Sequence, residues 1–168
     1  MAIRELTVTV TGWVGAPPKL YPGQGEHPVP FTQLRVGHTV RELDRHTGEL
    51  SDGATSWFTV KSFRDLAVNV ADCLRTGDPV VVHGRLRVEE WADAEGRISR
   101  SAVVLADSIG PDLRWGTTKF SRVARPTAPR SPEAEDAEVE AVLTEHPHAE
   151  LAATDVDELP TVPLATGS

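Results

Sequence analysis

The sequence holds a single cysteine, Cys73, among 168 residues. An internal disulfide is therefore excluded, and so is a metal site built from clustered thiolates; packing is the role expected of a lone Cys. Long apolar runs are missing too. No stretch approaches the roughly 20 apolar residues that a helix needs to span a bilayer. The opening MAIRELTVTV has no basic segment leading into an apolar one, so it does not read as a secretory leader. The expectation is a soluble, cytoplasmic protein with no membrane partner. Aromatic residues are absent from the last part of the chain: all four Trp, all four Phe and the only Tyr precede residue 121.

That last absence divides the molecule. A single hydrophobic core commonly uses about 100 to 150 residues, and the aromatic content ends the expected globular domain at residue 123. Residues 124–168 are rich in Pro, Ala, Glu and Asp. Without aromatic anchors such a segment has little surface to bury and reads as a disordered acidic tail, with a short helix around residues 133–143 as its one candidate element. The net charge of −8 divides at the same place. Residues 1–125 carry 16 Lys and Arg against 15 Asp and Glu, and residues 126–168 carry one Arg against ten acids. The acidity belongs to the tail, so it does not exclude a polyanionic partner for the domain.

Constellations for catalysis are lacking as well. His27, His38, His46 and His83 lie on separate segments, and His146 and His148 lie in the tail. None has the spacing of a metal site or of a nucleophile and its base. GWVG and GQG lack the strand-to-helix setting of a phosphate loop. The chain is expected to be no enzyme and to use no cofactor or metal.

What the domain does contain is strand pattern. Residues 6–11, LTVTVT, alternate apolar side chains with Thr and run into Gly12. APPKLYPGQGEHPVP is too rich in Pro and Gly for a regular ladder. FTQLRVGHTV alternates again, with Leu34 and Val36 facing opposite to Phe31, Gln33 and Arg35. A polar arm with Thr-Gly and Asp-Gly turn signals leads into a third strand, TSWFTVKSF. RDLAVNVADCLRTGD then shifts to helical spacing at Leu66, Val70, Cys73 and Leu74, with Gly77 as a stop signal. PVVVHGRLRVEEW and RISRSAVVLADSIG follow as two strands, turning at Gly96 and bent at Gly84. Five strands with one helix between the third and fourth is the order of an OB-fold, a small Greek-key barrel. Beyond Gly110, DLRWGTTKFSR has the look of one extra, C-terminal strand, with Leu113, Trp115 and Phe120 available for a partner subunit.

The third strand poses the functional question. Trp57, Thr59, Lys61 and Phe63 share one face, and Phe58, Val60 and Ser62 share the other. One face can be core. The other combines two large rings with a cation. The fourth strand repeats the mixture, with Arg85, Arg87, Glu89 and Trp91 on one side. Rings interleaved with cations suit unpaired bases and phosphates. The same rings suit a subunit interface equally well, and arginines beside Glu89 and Glu90 also make an ordinary self-paired surface.

Taken together, WFTVKSFRDLAVNVADCLRTGDPVVVHGRLRVEEWADAEGR resembles the central block of bacterial single-stranded DNA-binding proteins, and ADSIGPDLRWGTTKFSR is similar to the extension of their actinobacterial branch. The resemblance spans residues 5–123. It implies a nucleoid-associated OB-fold homotetramer that wraps single-stranded DNA during replication, repair or recombination. Trp57, Phe63 and Trp91 fall where that family stacks bases, and Lys61, Arg64, Arg85 and Arg87, with Arg35, fall among its DNA-binding positions. The segment bearing Leu113, Trp115 and Phe120 resembles its subunit clamp. An acidic tail in the family recruits replication and repair proteins. Departures point to a divergent paralogue: Glu42 and Leu43 stand where an arm aromatic is usual, Glu89 and Glu90 where basic residues are usual, Leu6 where Asn is usual, and no Phe closes the tail. An OB-fold interaction subunit with weakened or lost DNA binding is the alternative these departures keep open.

Overall fold

A computed structural model of the chain describes residues 5–23, 28–43, 45–92, 96, 98–124 and 132–145. Its elements are β1 (Thr7–Val14), β2 (Lys19–Tyr21), β3 (Phe31–Leu43), β4 (Leu50–Phe63), α1 (Arg64–Cys73), β5 (Pro79–Ala92), β6 (Ile98–Pro111) and α2 (Pro132–Glu145). The period-2 alternation of the long strands sends one set of side chains inward. Val10, Val14, Leu34, Val36, Val60, Val80, Val82, Val104 and Ala106 form the core, joined by Val70 and Leu74. Each such aliphatic side chain, fully buried, contributes about 1.5–3 kcal/mol. β-branched Val dominates the list because it fits a pleated, curved sheet.

The strands hydrogen-bond in the order β1-β5-β6-β4-β3-β2, and β1 also pairs with β3. That last pairing, with Trp13 opposite Gly37 and Val14 opposite Val36, closes β1, β5, β6, β4 and β3 into a barrel. β4 and β6 run parallel, and the other pairs are antiparallel. This is the OB-fold expected from the strand order. Gly84 marks a real irregularity, since the β5–β6 register shifts between His83 and Gly84. A Cβ at Gly84 would stand 2.0 Å from the Leu105 carbonyl oxygen, so only glycine permits the strand to bend there. Gly96, in the β5–β6 turn, adopts φ +77°, the left-handed region expected of it.

Four features depart from the sequence expectations. The extra strand is not the segment after Gly110. Residues 112–124 form no strand, and Leu113, Trp115 and Phe120 are exposed. A strand needs a ladder partner, and among the described residues no strand pairs with that segment. Instead, Lys19–Tyr21 inside the Pro-rich loop pairs with Phe31–Gln33. Pro17, Pro18 and Pro22 limit this ladder to three residues rather than prevent it. Cys73 is exposed rather than packed, because α1 turns Ala67 and Val70 inward and ends at Cys73. Gly77 is not the cap of α1 either: the cap residue Leu74 is extended and donates its N–H to the Val70 carbonyl. The fourth departure is the packing of α2. The tail's candidate helix forms, over 14 residues, and its Val139 is buried against the barrel rather than belonging to a disordered tail.

Candidate nucleic-acid interface

The ladder registers assemble the candidate site. Gln33 lies opposite Lys61, Lys61 beside Leu105, Leu105 opposite Arg85, and Arg85 opposite Thr7. One step along, Arg35 lies opposite Thr59, Thr59 beside Val103, and Val103 opposite Arg87. Directly paired residues point to the same side of a sheet. These two rows, with Trp57 opposite Gly37 and Phe63 opposite Phe31, therefore make one continuous outer face across five strands, β3, β4, β6, β5 and the start of β1. Their inward neighbours Leu34, Val60, Val104 and Leu86 belong to the core.

Trp57 is half-buried on this face. Its ring lies over two glycines: a Cβ at Gly15 would come within 2.4 Å of the ring, and one at Gly37 within 3.0 Å. The Arg35 guanidinium carbon sits 4.8 Å from the ring centroid, a cation-π contact. Cation and ring are thus already arranged as a nucleotide needs them, phosphate to one and base to the other. At the far end, Phe63 stands 6.1 Å from Phe31, and Tyr21 stacks on Phe31 at 4.5 Å with 7° between ring planes. Lys19 lies 5.0 Å from the Tyr21 centroid. Trp57 and Phe63 are six residues apart on one strand, or about 20 Å, room for several stacked or splayed bases.

The cations differ among themselves. Lys61 is buried at 3 % exposure, and its ammonium pairs with Glu89 at 3.2 Å. Its positive charge is thereby compensated within the barrel. Glu90 pairs with Arg100 on the neighbouring strand. Arg85 is bound by Glu5 at 3.2 Å and by Asp136 at 3.2 Å, and Arg87 by Glu140 and, at 3.7 Å, by Glu5. Burial acts to lower the pKa of Arg85, but the hydrogen bond and field of Glu5 and the fields of Asp136 and Asp107 more than offset it. The hydrogen bond to Glu140 likewise raises Arg87 above its ordinary value, burial opposing. Arg64 takes φ +57° where β4 hands over to α1, and its guanidinium donates to Glu138 at 2.7 Å and to the Glu135 carbonyl at 3.0 Å.

The face therefore brings together Arg35, Trp57, Lys61, Phe63, Arg64, Arg85 and Arg87. Trp91 lies in β5 opposite Ser99, but its side chain lies outside the described residues, as do His27, His146, His148 and residues 155–160. Leu113, Trp115 and Phe120 lie elsewhere, although Trp115 meets Trp13 at 5.2 Å between centroids. Sequence reading missed the glycine seat of Trp57, the Tyr21 and Phe31 rings, and the carboxylates that hold the arginines. The Gly15 and Gly37 signals were visible but depend on which strands meet. Among the described residues no group of three or more His, Cys, Asp or Glu is placed to hold a metal ion, and no helix is long and apolar enough to cross a membrane.

Comparison with known proteins bears on this face. The model of the single-strand binding protein family matches residues 6–112. The chain is 37% identical over 116 residues to "Single-stranded DNA-binding protein 2" of Tropheryma whipplei, covering 68% of this chain and 74% of that protein. It is 44% identical over 103 residues to "Single-stranded DNA-binding protein 1" of Streptomyces coelicolor, covering 61% and 65%. Among solved structures, the small single-stranded DNA-binding protein from Streptomyces coelicolor superposes with a TM-score of 0.60 at 36% identity, covering 68% of this chain and 100% of that one. The second single-stranded DNA-binding protein of Mycobacterium smegmatis shares the fold, with a TM-score of 0.51 at 24% identity over 70% and 99%.

Proposed function

The chain belongs to the single-strand binding protein family, and from that premise we propose that it binds single-stranded DNA on the outer face of β3, β4, β5 and β6. The observation that carries the reading is the union, on one face, of Trp57 and Phe63 with Arg35, Arg64, Arg85 and Arg87. Rings stack bases of any identity, and guanidiniums neutralise phosphates regardless of sequence, so the recognition is sequence-independent. Binding protects the strand without catalysis, in the replication, repair and recombination roles typical of this family. Lys61 contributes less than a free lysine because Glu89 already compensates it. Trp91 joins the set on the strength of its place in β5.

An interaction subunit devoid of DNA binding is not favoured. Part of its support, beside the missing arm aromatic, is the acidic pair of β5, and Glu89 and Glu90 each pair with a cation of the barrel rather than projecting unpaired charge.

For assembly, the reading is a homotetramer in which the segment of Leu113, Trp115 and Phe120 packs on a second copy. What supports it is exposure: Phe120 is 90% and Trp115 62% accessible in the single chain, large apolar rings that a partner surface would cover. Domain limits of 1–123 for binding and 124–168 for the acidic tail belong to the same proposal, with replication or repair proteins as candidate tail partners.

Intrinsic Trp fluorescence tests the function. Titration with unlabelled poly-thymidine at low salt quenches emission in a saturable manner if bases stack. An unchanged spectrum, with no retention of the nucleic acid, would remove the reading.

A further inference from the structure

We propose that β2 carries a further nucleotide subsite, with Tyr21 as a base platform and Lys19 as a phosphate contact, so that the DNA path continues past Phe63 onto one more strand. The subsite rests on the DNA-binding reading and lengthens the path which that reading describes. Register places it there. Lys19 lies opposite Gln33, which lies opposite Lys61, and Tyr21 lies opposite Phe31, which lies opposite Phe63. Directly paired residues share a face. β2 therefore adds a cation to the row that runs through Lys61 to Arg85, and a ring to the row of Phe63.

Local geometry makes the Tyr21 ring a platform. Phe31 is 2% exposed, too buried to meet a base itself, and it holds Tyr21 in a stack at 4.5 Å with 7° between ring planes. Tyr21 is half-buried and Lys19 is exposed. The Lys19 ammonium, 5.0 Å from the Tyr21 centroid, makes a cation-π contact of the weak, solvent-exposed kind. A base displaces it from the ring, and the flexible lysine stem carries the charge to the adjoining phosphate. The hairpin that presents β2 is held tightly: Gly23 takes φ +77°, and a Cβ there would stand 2.7 Å from the Val29 backbone. The Pro30 carbonyl accepts the Arg64 N–H at 2.7 Å, which ties the start of β3 to the end of β4. Two ladders separate Tyr21 from Phe63, about 10 Å, a step for the next nucleotides of an extended strand. The plainer role for so short a strand is to shield the edge of β3, with Tyr21 covering Phe31. Shielding uses the ring but has no use for a cation in register with Lys61.

Lys19 separates the two roles. Acetylation of the full-length parent, mapped by mass spectrometry, reads the subsite without a variant: Lys19 should react several-fold more slowly once oligothymidylate saturates the protein. Lys19→Met, a change on an exposed side chain, should lower the slope of log affinity against log salt by about 0.7, the share of one phosphate contact on a single strand. Anisotropy of a labelled oligothymidylate measures that slope. In the same assay Tyr21→Leu should bind more weakly by about five-fold or more, and Tyr21→Phe, which keeps the ring, should match the parent. Protection of Lys19 together with the reduced slope and the Tyr21 pattern supports the proposal. Lys19 as reactive with DNA as without it, a parent-like slope in Lys19→Met, or parent-like affinity in Tyr21→Leu overturns it, and the DNA-binding reading stands as long as the parent binds. A parent chain that binds no oligothymidylate overturns both.

Discussion

Trp57 rests on glycines, and its position is therefore set by what is missing beneath it. A methyl group at Gly15 would collide with the far edge of the ring, an edge that can swing away at little cost to the fold. Gly15→Ala should leave thermal stability nearly unchanged while it moves the ring off its place beside Arg35. Its affinity for oligothymidylate is expected to fall toward that of Trp57→Ala, itself weaker than the parent by about 1–3 kcal/mol. Parent-like affinity of Gly15→Ala in an anisotropy titration would mean that the seat of the ring is irrelevant to binding. The pair of buried Lys61 and half-buried Glu89 belongs to stability instead. Removing Glu89 alone strands a buried ammonium, so Glu89→Ala should lower the melting temperature, and Lys61→Met in the same chain should restore much of it. Thermal melts of the single and double variants check this, and a double variant no better than Glu89→Ala would refute the coupling. Which residues share the outer face was legible from alternation alone. That Lys61 would be buried and matched to Glu89 was not, because the two lie on strands that never pair directly, β4 and β5 being separated by β6.

Among elements, those with a strong period of their own were the readable ones. The five long strands and α1 announced themselves by spacing, and Gly84 and Gly96 by the bend and turn they permit. β2 was hidden because three residues between prolines carry no periodicity, yet Tyr21 found Phe31 across a short ladder. The segment after Gly110 has strand-forming residues but no ladder partner among the described residues. α2 looked marginal because its own apolar content is small; its order comes from a docking surface supplied by β4, β5 and β6, which no local window contains. That docking has an electrostatic part with a pH signature. The hydrogen bond with Arg87 holds the Glu140 carboxyl below its ordinary value, aided by the fields of Arg87 and Arg85 and opposed by burial. Glu5, Asp136 and Asp107 are the other carboxylates beside these arginines. A depressed value in the docked state means the contribution is present above the ordinary carboxylate range and is lost as pH falls through the depressed value. Carboxyl titration by NMR should therefore place Glu140 below a free glutamate in the parent and return it to the ordinary range in Arg87→Ala. An unshifted Glu140 in the parent would mean that the helix is not held by Arg87.

At the scale of the whole molecule, a near-neutral barrel carries an acidic extension, and the net charge of −8 conceals a face that gathers Arg35, Arg64, Arg85 and Arg87. Assembly is the second property at this scale. Deleting residues 113–123 should weaken self-association, because it removes the exposed Leu113, Trp115 and Phe120. Sedimentation across a dilution series reads the change, and identical dissociation of the shortened chain would assign that segment to its own barrel alone. The central claim is where the strand lies. Ultraviolet crosslinking of the full chain to oligothymidylate, followed by mass spectrometric mapping, addresses it most directly, since short-range adducts form only on rings that touch bases. The expected adducts fall on Trp57 and Phe63 and decrease as salt rises. Adducts confined to Trp13, Trp115 or Phe120, with Trp57 and Phe63 unmodified at saturating nucleic acid, would contradict it.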